Sequence, residues 1–152
     1  MSSRPAFPFL PKKASSVRPG DFWGIPLRRG GWYACVRILE FDDEIPNAVV
    51  VGLLDWCEPH LPTPESIAGA VVLKFGAAHI KTVGETGGQI LGNRPLEDDS
   101  ELDAVIAHIH ASQGDISGWG YCHVEDLAHD HFGRHFPESP SIATRRPDPL
   151  RR

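Results

Sequence analysis

The sequence predicts an α+β, mainly β fold: a small, strongly curved antiparallel sheet or SH3-like partial barrel, followed by one or two C-terminal helices. Three observations carry this reading. The first half alternates short apolar runs with glycine and proline turns, the stretch Ala48–Trp56 is apolar almost without interruption, and an i, i+3, i+4, i+7 pattern appears only after Pro95.

Asp21 to Leu27 reads as a strand with Trp23, Ile25 and Leu27 on one face, and Arg28-Arg29-Gly30-Gly31 as a hairpin turn. The return strand, Trp32 to Phe41, places Trp32, Ala34, Val36 and Ile38 on one face and Tyr33, Cys35, Arg37 and Leu39 on the other. Both faces are largely apolar. The polar turn "FDDEIPN" leads into "AVVVGLLDW", the expected central strand. "CEPHLPTPES" is a loop, because its prolines cannot hold a ladder. "AVVLKF" (Ala70–Phe75), "HIKTV" (His79–Val83) and "QIL" (Gln89–Leu91) read as three further strands.

In "LEDDSELDAVIAHIHAS" the positions Leu102, Val105, Ile106 and Ile109 form the apolar stripe of a helix near 100–112, with Ser100 and Asp103 as a capping-box-like start. "GDISGWGYCHV" reads as a further strand. A second helix near 124–132 carries Val124, Leu127, Ala128 and His131 on one stripe and ends at Gly133. Residues 1–19 are basic, with prolines at 5, 8, 11 and 19, and read as an extended or disordered arm on which Phe7, Phe9 and Leu10 could dock. The single domain is thus 20–140, and 141–152 is a basic disordered tail.

Charge narrows the partner. The formal net charge is −5, yet residues 21–144 hold seven Lys/Arg against nineteen Asp/Glu, a formal −12. Such a body repels phosphate backbones, which excludes nucleic acid as the expected partner and favours a cationic one. The acidic clusters Asp42-Asp43-Glu44 and Asp98, Asp99 and Glu101 are explained as turn and capping chemistry, or as a surface steering a basic protein into contact. Three widely spaced cysteines indicate neither a disulfide framework nor a cysteine zinc site and fit a reducing cytoplasm. No stretch approaches a membrane span or a signal peptide.

Chemistry-bearing motifs are sparse. His129, His131 and His135 could support a metal-dependent hydrolase, but no glutamate follows the first histidine of the i, i+4 pair, and Arg134 lies in its spacer. No serine elbow or phosphate-cradling glycine loop is present, and Cys122 and His123, neighbours on the expected strand, would point to opposite faces. Trp23, Trp32, Trp56 and Trp119 could stack bases, although at strand spacing they belong in the core. The reading is a non-enzymatic protein with no cofactor and no metal.

The segment "RPGDFWGIPLRRGGWYACVRIL" resembles the start of the immunity protein 26 family of bacterial polymorphic toxin systems, through Gly20-Asp21-Phe22, Ile25-Pro26-Leu27, Gly31, Tyr33 and Val36. "ILGNRPL" (Ile90–Leu96) resembles that family's second landmark, without the aromatic residue that commonly precedes it. The resemblance covers residues 18–97. It implies a mostly β protein that binds and neutralises a cognate toxin by stoichiometric contact; the acidic body suits a basic, nuclease-like one. It supplies no catalytic residues. An SH3-like adaptor is the alternative binding module.

Overall fold

The computed structural model describes residues 6–27, 30–42, 45–112 and 116–135. The strands are β1 (Asp21–Pro26), β2 (Tyr33–Phe41), β3 (Ala48–Glu58), β4 (Val72–His79), β5 (Ile90–Asn93) and β6 (Gly118–Trp119). They form one sheet in the order β5-β1-β2-β3-β4-β6, antiparallel except for the short β4–β6 pair. The fold is therefore α+β and mainly β. The sheet is open and mixed, where a purely antiparallel one was expected.

The alternation in β2 decides the layering. Ala34, Val36 and Ile38 join Trp23, Ile25, Val49 and Val51 in a first core on one face, and Cys35 and Leu39 enter cores on the other. The first face is covered by α1 (Thr82–Glu85), through Val83, and by α3 (His123–His135), through Val124, Ala128 and Phe132. The second face is covered by the loop 59–71, where Ile67 seals Phe22, Leu54 and Trp56, and by α2 (Asp103–Ala111), where Ile109 sits over Leu39 and Val50. The β2–β3 ladder is irregular between Ala34 and Val36 and again between Ile38 and Glu40. Irregularities of this kind bend strands and sharpen their twist.

Several local expectations change. "HIKTV" is not a strand: β4 ends at His79, and Ile80 and Val83, three residues apart, both turn inward as the chain enters α1. The Ser100–Asp103 capping box does not form; a 3₁₀ turn, Ser100–Leu102, leads into α2 without a side-chain cap. A reciprocal cap appears instead inside the proline loop, where the Thr63 N–H donates to Ser66 Oγ at 2.9 Å and the Ser66 N–H donates to Thr63 Oγ1 at 3.0 Å. Cys122 and His123 lie at the start of α3, not on a strand, and α3 passes through Gly133 to His135, burying Phe132 where His131 was expected.

The N-terminal arm joins the core. Phe9 and Val17 are buried, and Phe9 exchanges backbone hydrogen bonds with Ile90 of β5. The tail 141–152 lies outside the described residues. Among the described residues, no helix is long and apolar enough to cross a membrane.

Candidate partner-binding surface

Arg37 sits in the middle of β2, between Cys35 and Leu39, with no exposed side-chain surface. A buried guanidinium requires a carboxylate and further acceptors. Its Nη1 donates to Asp99 Oδ2 at 2.9 Å, and its Nη2 donates to the carbonyls of Arg94 and Pro95. Asp99 is also gripped by Arg94, whose Nε and Nη2 donate to its two oxygens at 2.8 and 3.0 Å, the fork geometry of a strong pair. The Gly69 N–H completes the shell at 3.0 Å. Hydrogen bonds from Arg94, then from Gly69 and Arg37, hold the Asp99 carboxyl well below the usual carboxylate range, outweighing the burial that pushes it up.

A second buried carboxylate lies beside this cluster. Asp21 Oδ2 accepts the Arg18 N–H at 2.9 Å, and Asp21 Oδ1 accepts Asn93 Nδ2 at 2.8 Å. Asn93 Nδ2 also reaches the Pro19 carbonyl, and the Arg94 N–H donates to the Gly20 carbonyl. Gly20 has φ +98°, and a Cβ there would lie 2.6 Å from the Arg94 carbonyl oxygen, so glycine is required. Residues 19–21, at the start of the segment 18–39, are thus bound to Asn93 and Arg94 of the segment 90–96.

The acidic residues expected to meet a partner separate into two groups. Asp42 is half-buried at the end of β2, its N–H donating to the Ala48 carbonyl; Asp43 and Glu44 lie outside the described residues. Asp98 and Glu101 are exposed in the 3₁₀ turns before α2, with Glu97 and Asp103 exposed beside them. Asp99 is corrected: buried at 2 % and held by two arginines, it belongs to the interior and offers no charge to a partner. Glu40, two residues before Asp42, meets the last turn of α2 through His110 Nε2 at 2.7 Å. The Glu40 end of β2 therefore meets the C-terminal turn of α2, whereas Asp98 and Glu101 precede the N-terminus of that helix, which is roughly 13 Å long.

The remaining candidates do not converge. Among the described residues no group of three or more His, Cys, Asp or Glu side chains is placed to hold a metal ion. The two ring nitrogens of His129 are buried without a hydrogen-bond partner among those residues, His131 lies edge-on to the Phe132 ring, and the His135 side chain is not among those described. Cys35 is buried, which pushes its thiol far up despite the nearby Arg37. Trp23 and Trp56 occupy opposite faces of the sheet, each with its indole N–H donated internally, to Thr86 Oγ1 and to the Ser66 carbonyl, and Trp32 and Trp119 pack, partly buried, against the core that holds Trp23.

The network of Arg37, Arg94 and Asp99 was missed from the sequence as a unit. Its signal was the lone arginine in "YACVRILEF", a charge on a strand buried on both faces, which must find an opposite charge elsewhere in the chain. Comparison with protein-family models, with curated proteins and with solved structures finds no match.

Proposed function

We propose that this chain is an immunity protein that acts in the cytoplasm of the producing cell, binding and neutralising a cognate bacterial toxin by stoichiometric protein–protein contact. The observation that carries the reading is the union of its two landmark segments. The start of the segment 18–39 and the segment 90–96, which bear the resemblance, meet through Asp21, Asn93, Gly20 and Arg94, as expected if both belong to one structural signature. That signature is scaffold, so the contact surface is sought elsewhere. The exposed acids Asp98 and Glu101 at one end of α2, with the Glu40 end of β2, which runs into the Asp42 turn, at the other, supply an anionic frame for a basic toxin. An SH3-like curvature is part of this reading and is supported by the irregular β2–β3 ladder. The chain itself supplies no bond-making step; protection comes from occlusion.

The test is to seek a toxin gene directly adjacent to this one and to co-express the two. Rescue of growth, together with a one-to-one complex of the purified proteins, is the expected outcome. A toxin that still kills and forms no complex would overturn the proposal.

A further inference from the structure

The two cores on the second face are closed to different degrees. Under the loop 59–71, Ile67 seals Phe22, Cys35 and Leu54 with no exposure left. Beneath α2 the cover is thinner. Among the described residues the buried members there are Leu39, Val50 and Ile109, and the apolar residues packed on them, Val72, Phe75, Leu96, Val105, Ile106 and Ile116, are all only half-buried. The helix α2 closes this core with one buried residue, Ile109. A contiguous apolar surface with a polar surround is the kind that another chain covers.

The surround is anionic. The segment 95–112, which holds the 3₁₀ turns Leu96–Asp98 and Ser100–Leu102 and then α2, carries Glu97, Asp98, Asp99, Glu101 and Asp103 and contains no Lys or Arg. Asp99 is internal, and the other four are exposed. At the far end of α2, Glu40 pairs with His110 and stands opposite Val50 of the same core. The cations beside this segment are turned elsewhere. Arg37 and Arg94 are spent on Asp99, and Lys74 stands opposite Leu53, a residue of the first-face core. Apolar surface framed by carboxylates complements one ligand chemistry, an apolar side chain carried between lysines or arginines.

We propose that this half-buried core is the seat of the partner: a basic segment of the other protein lays an apolar side chain on Leu96, Val105, Ile106 and Phe75 while its lysines or arginines meet Asp98, Glu101 and their neighbours. This rests on the reading of the chain as a binder of a basic protein. At such a surface the acids set how fast the partner arrives, and the apolar centre sets how long it stays.

The probe is a synthetic peptide of repeated Lys-Leu-Arg units, with a second peptide in which every Leu is Ser as the charge-matched control. Binding to the full chain is followed by NMR shifts and titration calorimetry. The Leu peptide is expected to move the resonances of Leu96, Val105, Ile106 and Phe75 and to bind at least about tenfold more tightly than the Ser peptide. Ile106→Ser, which leaves Ile109 in place, is expected to remove most of that preference with an unchanged circular dichroism spectrum; should it unfold, Ile106→Ala is expected to reduce the preference in the same direction. Equal binding of the two peptides, shifts centred away from α2, or an Ile106 variant that keeps the full preference would each overturn the proposal. So would a face that this chain covers itself, seen as self-association of the parent that Ile106→Ser abolishes, or as nuclear Overhauser contacts between Ile106 and residues 141–152. Neutralisation of an adjacent toxin whose binding Ile106→Ser leaves unchanged would overturn this surface and keep the immunity reading. Peptide binding as expected, beside a toxin that is not neutralised, would keep the surface and overturn that reading.

Discussion

Arg37 and Asp99 show how a charge enters the interior of this protein and what it demands there. Both are essentially without solvent, and every polar contact on Asp99 favours its ionised form. Replacing Asp99 by Asn leaves Arg37 buried without its counter-charge, and the expected loss is about 3–5 kcal/mol, read as a lower denaturation midpoint at neutral pH. The sign of the pH dependence follows from the depressed folded-state pKa. The stabilisation is complete above the unfolded carboxyl value of about 3.9 and drains away as pH falls through the lower folded value. Parent stability should therefore fall between about pH 5 and pH 2, while Asp99→Asn, with no such proton to take up, shows a flatter acid limb; parallel profiles would contradict the assignment.

Among the elements, β6 is the smallest, two residues held against β4, and its placement depends on one absent side chain. A Cβ at Gly76 would stand 2.3 Å from Cε2 of Trp119, so the indole lies directly on the backbone of β4. Gly76→Ala should push Trp119 outward, red-shift the tryptophan emission and cost about 1–3 kcal/mol, as overpacking does; unchanged emission would mean that the indole finds another seat. The larger elements were legible because burial leaves a pattern: β1 to β3 are buried along nearly their whole length and read as near-continuous apolar runs, and Leu102, Val105, Ile106 and Ile109 repeat at helical spacing. The misreadings arose where pattern and packing part. Thr82 and Val83 are β-branched and favour a strand, yet the inward pair Ile80 and Val83 is spaced for a helical turn. Gly133 lowers helix propensity by about 1 kcal/mol, too little to stop a helix anchored at Val124, Ala128 and Phe132. Asp99 looked like its acidic neighbours because a buried ion pair leaves no local signature; the partner strand is 62 positions away.

For the whole molecule, the decisive quantity is where the acidic excess can be met. The exposed acids before α2 should steer a cationic partner by long-range attraction, an effect that screening removes over about 10 Å at ordinary salt. Reversing two of them, Asp98→Lys with Glu101→Lys, is expected to slow association with the proposed toxin partner about tenfold or more at low salt and to flatten its salt dependence, with little change in dissociation. Stopped-flow association rates at several ionic strengths read this directly. A double variant that associates as fast as the parent would move the contact surface away from α2.

The distance along the chain between Arg37 and its acceptors at Arg94, Pro95 and Asp99 has a bearing on synthesis. A nascent polypeptide still short of Asp99 holds β1 to β4 complete, yet cannot bury their second face without stranding a bare guanidinium inside it. Packing of that second face is therefore expected only after the aspartate has left the exit tunnel, whereas the opposite face carries no such condition.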